Sequence, residues 1–295
     1  MNGELETDHD VLVTLARFSL ATAEQLHQLH GGQAGIKQTQ KRMDRLHTEG
    51  LAEFVTLPQA GRAKAWHLTE AGSAVTATFP AARRPDPVAA PEQAALRYGR
   101  GHLLSLGRVH CAFVADARAR GEGCGPLDLV PAPAHPVDPA NPAGPIYRPA
   151  AELAYTATTA SGRRRLRAFV ELHRPASGTE QAAEQLAACA RLWQQPGPDG
   201  TNWAWGRRWR TFPALLVVLT GTPAATVKAA VEDLLLAAEE NPATAELLAA
   251  VPAGAARLED LLQHGPAAAM WHPLGGEGRR PRGWTQLQAC ATPVP

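Results

Sequence analysis

The stretch Ile36-Lys-Gln-Thr-Gln-Lys-Arg-Met-Asp-Arg-Leu46 decides the fold of the first part of this 295-residue chain. Its less polar residues recur at helical spacing and predict one buried helix face; they are Ile36, Thr39, Met43 and Leu46. The opposite face is polar and mostly basic, and Arg42 lies at its edge; it carries Lys37, Gln38, Lys41, Asp44 and Arg45. Glutamine, lysine and arginine can read base edges, and the two basic side chains also neutralise phosphates. The helix is therefore predicted to contact DNA.

The segments around this helix predict a winged helix-turn-helix. An apolar helix from about Val11 to Phe18 comes first, and Thr22-Ala-Glu-Gln-Leu26 follows, with an N-cap and a capping-box glutamine. After the basic helix, Gly50-Leu-Ala-Glu-Phe-Val55 and Ala65-Trp-His-Leu68 predict a two-stranded hairpin with a basic tip. In this design the third helix enters the major groove and the hairpin, or wing, lies along the phosphates.

The charge distribution supports a local contact with double-stranded DNA. From residue 31 to residue 67 there are six basic and three acidic residues, a balance of +3, whereas the whole chain carries only +1. A bulk polyanion binder is thereby excluded. The predicted DNA-binding residues are Lys37, Gln38, Lys41, Arg42, Arg45, Arg62 and Lys64. Two alternatives stay open: a solvated helix, and a winged helix that binds protein.

Length and composition predict a two-domain cytoplasmic protein associated with the nucleoid. We expect a winged helix-turn-helix in residues 1–77, a Pro-rich, extended linker in residues 78–92, and an α/β domain in residues 93–295. Cys111, Cys124, Cys189 and Cys290 form no CxxC pair and predict reduced thiols. The sequence has no signal-peptide pattern and no run of about 18 apolar residues, so no membrane partner is expected.

The pattern in the second domain predicts the order helix, strands, helix, strand, helix, strand. This order indicates a mixed sheet covered on both faces. We expect helices over 93–120 (bent near Gly99-Arg-Gly101), 180–193, 222–240 and 244–264, strands over 146–155, 165–172, 212–220 and 267–273, and an irregular loop over 131–145. The first two strands are expected to turn at Ser161-Gly162.

Short segments of the chain resemble the actinobacterial replication-relaxation proteins, which couple an N-terminal winged helix to a PD-(D/E)XK, or restriction-endonuclease-like, domain. The segments are Leu15-Ala-Arg-Phe18, Thr22-Ala-Glu-Gln-Leu26, Arg45-Leu46, Gly50-Leu51, Leu68-Thr-Glu-Ala-Gly72, Arg148-Pro-Ala-Ala-Glu-Leu153 and Phe169-Val-Glu-Leu-His-Arg174. The resemblance implies an α/β fold (α+β overall) and a role in plasmid or mobile-element replication, transfer or transcription control.

Two departures from the family pattern imply that the second domain lost its catalysis. Pro149 is followed by Ala150 where the family has Asp, and His173 follows Glu171-Leu172. In an active nuclease of the superfamily that Asp and the Glu hold Mg²⁺, and a Lys at the position of His173 orients water. Mg²⁺ needs hard oxygen ligands, which Ala150 does not supply. We therefore expect a non-enzymatic protein without a metal or a cofactor.

Other interpretations of the second domain remain open. Glu152 lies on the same side of its strand as Ala150, so Glu152, Glu171 and His173 could converge as the catalytic residues of a metal-dependent nuclease or nicking factor. Conversely, this region could be a solvated strand end in which Glu171 pairs with Arg148 or Arg174. A third alternative is a protein-binding adaptor of a replication or transfer complex. Such proteins, and a second copy of the chain, are the further expected partners.

Three weaker signals have alternative interpretations. Trp203-Ala-Trp-Gly-Arg-Arg-Trp-Arg210 fits either a base-stacking surface or indoles packed on the sheet. Arg163-Arg-Arg165 fits a solvated turn or a phosphate contact. His27 and His30, on a predicted helix without neighbouring ligands, are expected to be surface or interface residues.

Overall fold

The computed structural model describes residues 2–57, 63–82, 99–141, 143–160, 162–198, 200, 202–275 and 280–287, with the backbone alone for residues 2–7. The protein is mixed α/β, a helical N-terminal region followed by a sheet domain, as predicted. It divides into two compact units. The N-terminal unit comprises residues 1–115 and 125–127, and the C-terminal unit comprises residues 116–124 and 128–295.

The N-terminal unit combines helices with a small antiparallel sheet. Its helices are α1 (Asn2–Phe18), α2 (Ala23–His30), α3 (Ile36–Thr48), α4 (Glu70–Ala77) and most of α5 (Arg100–Arg120). Its strands are β1 (Ala21–Thr22), β2 (Ala52–Leu57) and β3 (Ala63–Leu68), in the order β1-β3-β2. The predicted three helices and hairpin are confirmed. Strand β1 was not predicted, because two residues are too few to show alternation.

Local signals and apolar packing position α3 in this unit. Thr22 and Gln25 form the predicted capping box at the start of α2. The buried side of α3 contributes Met43 and Leu46 to a cluster with Leu15 and Trp66. At Gly72 in α4 an added Cβ would lie 1.9 Å from the Leu51 carbonyl oxygen, so only glycine allows this close approach.

Helix α5 differs from its prediction in start and in assignment. It begins at Arg100, directly after Gly99 at φ +73°, and runs from there without a break. Residues 93–98 lie outside the described residues, so the bend expected near Gly99 stays a prediction. Its first part belongs to the N-terminal unit, whereas the sequence division placed residues 93–295 together. Contacts explain the difference: Gln25 Nε2 donates to the Leu104 carbonyl at 2.8 Å, and His110 stacks on Phe18. Of the predicted linker, Pro80–Ala82 form a 3-10 turn and residues 83–92 lie outside the described residues.

The C-terminal unit is built on a six-stranded mixed sheet in the order β11-β10-β9-β8-β7-β4. Its strands are β4 (Leu129–Pro131), β5 (His135–Pro136), β6 (Ile146–Tyr147), β7 (Ala151–Thr159), β8 (Gly162–His173), β9 (Ala214–Leu219), β10 (Ala253–Arg257) and β11 (His272–Pro273). Strands β5 and β6 form a separate pair. The helices are α6 (Glu180–Gln194), α7 (Val227–Glu239), α8 (Pro242–Ala250), α9 (Leu258–His264) and α10 (Trp284–Leu287). Strands β8, β9 and β10 run parallel, and β4-β7, β7-β8 and β10-β11 pair antiparallel.

Four predictions for this unit are wrong in detail. The expected helix over 244–264 contains strand β10 between two helices, because its alanine-rich residues pair with β9 over five positions and are largely buried. The expected strand over 146–155 is two strands, β6 and β7. The loop over 131–145 includes β5, and the last strand shrinks to β11. Strands β7 and β8 pair as neighbours on either side of the predicted turn. Gly162 has a φ of +113°, and Ser161 lies outside the described residues.

The core of the C-terminal unit lies on both faces of the sheet. Every residue of β9 is buried, so both faces are covered there, as predicted. One face packs Phe169, Leu215 and Val217 against helices α6, α7 and α8. Tyr155 packs edge-on to Trp284 of α10, 4.9 Å between ring centroids. Cys111, Cys124 and Cys189 are buried without a disulfide, and Cys290 lies outside the described residues.

Candidate nucleic-acid interface

Helix α3 presents a polar face that its own packing fixes. The helix follows Gly35, has no acidic residue in its first turn, and buries Thr39, Met43 and Leu46. The Thr39 hydroxyl lies 3.1 Å from His27 Nδ1, which links α3 to α2. His30 Nε2 similarly lies 2.8 Å from the Thr14 hydroxyl. These two histidines therefore have partners inside the unit.

The first half of α3 exposes the three residues predicted there to contact DNA. Lys37, Gln38 and Lys41 are all exposed, as predicted. Within the described part of the chain, none of them takes part in an ion pair. An exposed lysine without a carboxylate partner keeps its charge available for a phosphate. This half of the helix is thus a cationic surface open to a ligand.

The second half of α3 is bound to Asp8 of α1. Arg42 Nε donates to Asp8 Oδ1 at 2.8 Å, and Arg45 Nη2 donates to Asp8 Oδ2. The Arg42 and Asp8 side chains are only 17% and 16% exposed, whereas Arg45 is 46% exposed and also lies 3.8 Å from Glu49. Asp8 is not among the residues predicted from the sequence, because nothing local indicates a partner more than thirty residues away along the chain.

The hairpin places Lys64 beside α3. Its ammonium lies 4.1 Å from the ring centroid of Phe54, 5.3 Å from that of Trp66 and 3.8 Å from Asp44 Oδ1 of α3. The lysine is 46% exposed, so its charge also reaches solvent. Arg62, the other residue predicted for the wing tip, lies outside the described residues.

In the C-terminal unit, the strand register places the three candidate catalytic residues on one face. Glu152 of β7 is opposite Phe169 of β8, and residues two apart on a strand share a side. Glu152, Glu171 and His173 therefore lie on the same face of the sheet. Phe169 separates the first two, because it pairs with Glu152 across the strands and precedes Glu171 by two residues on β8. Among the described residues, no group of three or more His, Cys, Asp or Glu is arranged to hold a metal ion.

Glu152 is a buried carboxylate with a full set of donors. It is 6% exposed and accepts a hydrogen bond from Trp209 Nε1 at 3.0 Å. Arg167 Nη1 and Arg208 Nη2 each approach it to 3.4 Å. His135 Nε2 lies 3.6 Å away, but burial, with Arg208 and Arg148, lowers the pKa of His135 to about 3. The imidazole is neutral at neutral pH, so the two guanidinium groups balance the charge of Glu152.

Glu171 has a different environment. The Tyr147 hydroxyl donates to its Oε1 at 2.7 Å, and the Ala150 N–H donates to its Oε2 at 3.4 Å. Removal from water raises the pKa of Glu171 to about 7, against the smaller lowering effect of these hydrogen bonds. The expectation of a solvated strand end is wrong here: His173 is 6% exposed, and burial lowers its pKa. A tyrosine and a backbone amide, rather than an arginine, donate the hydrogen bonds described for Glu171.

In the aromatic segment over 203–210, the packed-indole interpretation is confirmed for Trp205 and Trp209, and the base-stacking interpretation stays a prediction. Trp209 is 7% exposed and packs on Phe169, and Trp205 Nε1 donates to the Trp193 carbonyl at 3.0 Å. The arginines at 207, 208 and 210 are exposed. Trp209 therefore packs on the sheet, whereas Trp203 is 36% exposed and stacks on Trp193 of α6, and the guanidinium groups reach solvent.

The comparisons with known proteins find one family. A family model described as replication-relaxation matches residues 12–130, which include helices α2 and α3, the hairpin and α5. The resemblance to that family is thereby confirmed over those residues. No curated protein matches the chain, and no solved structure matches it.

Proposed function

We propose that this chain is a replication-relaxation protein that binds double-stranded DNA through α3 and the hairpin. The observation that carries the proposal is the exposed set of Lys37, Gln38 and Lys41, without ion pairs in the described part of the chain. In helix-turn-helix proteins the N-terminal residues of the recognition helix contact base edges. Lys37, Gln38 and Lys41 occupy this part of α3.

The topology of the N-terminal unit supports a winged helix-turn-helix. Three helices precede the β2–β3 hairpin, and β1 adds a third strand through the pairs Ala21–Trp66 and Thr22–Ala65. The contact of Lys64 with Asp44 places the start of β3 next to the polar face of α3. In this arrangement Lys37, Gln38, Lys41 and Arg45 face the groove, and Lys64 contacts phosphates. Arg62, predicted for the same role, lies outside the described residues.

The family-model match supports a role in replication or in processing mobile-element DNA such as a plasmid. The protein would then act in the cytoplasm at the nucleoid, and transcription control is the alternative process. Among the described residues no helix is long and apolar enough to cross a membrane.

We also propose that the C-terminal unit is a restriction-endonuclease-like domain without catalysis. The antiparallel β4-β7-β8 strands followed by parallel β9 support this fold, with a helix between β8 and β9. Ala150, directly before β7, donates its N–H to Glu171 and stands where the superfamily has its metal-binding Asp. Glu152 and Glu171 are occupied by structural donors. The domain would serve as a platform for a second copy of the chain or for replication and transfer proteins.

A charge-matched pair of variants tests the DNA contact. Lys37→Gln with Lys41→Gln removes two charges from α3, whereas Arg191→Gln with Lys228→Gln removes two exposed charges from α6 and α7. Binding to a random-sequence duplex is measured over a salt series. We expect the α3 variant to lose roughly tenfold or more in affinity and its salt slope to become shallower by about two units. Equal binding by both variants would contradict the proposal. If the wild type binds duplex DNA without any dependence on salt, the alternative of a protein-binding adaptor is favoured.

A cleavage assay tests the second part of the proposal. Supercoiled, linear and single-stranded DNA are incubated with the wild type in Mg²⁺ and in Mn²⁺, and we expect no nicking. Nicking that disappears in both Glu152→Ala and Glu171→Ala would instead establish a nuclease with a relocated acid.

A further inference from the structure

Strand β8 carries a row of arginines on one face of the sheet. Arg163, Arg165 and Arg167 alternate with residues of the other face, so they share the face of Phe169 and Glu152. Alternate residues in a strand are about 6.6 Å apart, which makes the row straight and evenly spaced. The residues opposite on β7 are Thr158, Thr156 and Ala154, which carry no charge.

The row is exposed towards the turn between β7 and β8, and at its other end Arg167 contacts Glu152. Arg163 and Arg165 are exposed, and the Arg167 side chain is 35% exposed. Arg163 Nη2 lies 3.3 Å from the position of a Cβ at Gly123, so this guanidinium reaches across β7 to an edge without a side chain. Within the described residues, neither Arg163 nor Arg165 forms an ion pair.

A fourth arginine, Arg208, lies next to the row because it contacts the same carboxylate as Arg167, that of Glu152. Arg167 and Arg208 each lie 3.4 Å from its carboxylate, so their guanidinium groups meet at one anchor. Arg208 is 49% exposed. Four arginines against this one carboxylate leave three positive charges in excess. The nearby Glu122 is already occupied by Arg120 Nε at 2.9 Å and by the Tyr155 hydroxyl at 2.7 Å.

We propose that Arg163, Arg165, Arg167 and Arg208, here called the β8 arginine row, form a second contact with the phosphate backbone of duplex DNA. A straight row of guanidinium groups fits a linear polyanion, and guanidinium binds phosphate oxygens through two parallel hydrogen bonds. Thr156 and Thr158 add hydroxyl groups of the kind that donate to phosphates. A lipid surface would instead require exposed apolar side chains beside the charges, whereas Ala154 is buried. The row lies in the C-terminal unit and does not depend on α3 being the reader.

The test uses the full chain and a short random-sequence duplex over a salt series. Arg163→Gln with Arg165→Gln is compared with the Arg191→Gln and Lys228→Gln control, which removes the same charge elsewhere in the unit. Each phosphate contact contributes about 0.9 to the salt slope. We expect the row variant to lose roughly tenfold in affinity at low salt and its slope to fall by about two units, with little change in the control. Lysine at both positions should restore most of the slope.

Arg164→Gln is the control for the face, because Arg164 is equally exposed and lies on the opposite side of β8. Equal losses for Arg164→Gln and Arg165→Gln would overturn the row, as would unchanged binding by the double variant. An effect confined to single-stranded DNA or to phosphatidylserine vesicles would also overturn it. Repeating the series in the Lys37→Gln and Lys41→Gln background separates the two proposals. If only the row variant weakens binding, the reader role of α3 fails and the row stands.

Discussion

The two units differ in how far their charged side chains are buried. In the N-terminal unit Asp8 contacts two arginines near the surface, and the lysines of α3 keep their charges exposed. In the C-terminal unit Glu152 is buried under an indole and two guanidinium groups, and Glu171 is held by a tyrosine. A side chain that already satisfies buried donors cannot leave them without cost. In the first unit the lysines of α3 therefore stay exposed, whereas the carboxylates of the second unit are held by buried donors.

The strongest test of this contrast is Glu152→Ala. The change leaves the buried Trp209 N–H without an acceptor and two guanidinium groups without their counter-charge. We expect a loss of about 3 kcal/mol in the free energy of unfolding, measured by urea denaturation. Glu152→Gln keeps an acceptor oxygen and should lose less. A neutral Glu152→Ala would show that the carboxylate is available for chemistry after all.

Glu171→Gln should change how the free energy of unfolding depends on pH. The native pKa of about 7 lies above the usual 4.5, so the native state holds its proton longer than the unfolded chain. Stability from Glu171 is therefore complete at low pH and is lost as pH rises from about 4.5 to 7. The quantity of interest is the free energy of unfolding of Glu171→Gln minus that of the wild type. We expect this difference to be about 1 to 2 kcal/mol larger at about pH 8 than at about pH 4.

The measurement is the difference in free energy of unfolding between the wild type and Glu171→Gln at each pH. The lowered pKa values of His135 and His173 act in the opposite sense, since their stability contribution is lost as pH falls below about 6.5. Subtracting the Glu171→Gln curve from the wild-type curve cancels both histidines. A flat difference would contradict the assigned environment of Glu171.

Asp8→Asn tests the surface carboxylate in the other unit. Removing its charge frees Arg45 for a phosphate, so we expect duplex affinity to rise roughly two- to tenfold at low salt. The partly buried pair with Arg42 is weakened at the same time, which should cost about 1 kcal/mol of stability. Reduced affinity with unchanged stability would show instead that Asp8 positions Arg45 for DNA.

Lys64→Ala should have the smallest effect. One phosphate contact less makes the salt slope shallower by about one unit, with similar losses on related and unrelated duplexes. A change in sequence preference with an unchanged slope would place Lys64 against a base.

The parts of the fold that were predicted correctly depend on local pattern. The period of α3, the Thr22 cap and the apolar run of β9 are each complete within a few residues. Strand β10 was missed because Ala253-Gly-Ala-Ala-Arg257 reads like a helix until β9 pairs with it. The partners of Glu152 were missed because they lie 15 and 57 residues away along the chain. Only the folded sheet brings Arg167 and Trp209 to the same carboxylate.

The amide of Gln25 has a consequence for how such a protein can be recombined during evolution. Its Oε1 accepts a hydrogen bond from the N–H of Thr22, the N-cap of α2, and its Nε2 donates to the Leu104 carbonyl in α5. The residue is only 6% exposed. Leu103 of the same helix covers Leu20 and Ala65. A gene fusion made in the Pro-rich segment before residue 93 would expose these groups. An exchange that keeps the N-terminal unit intact has to carry α5 with it, at least through Ala115.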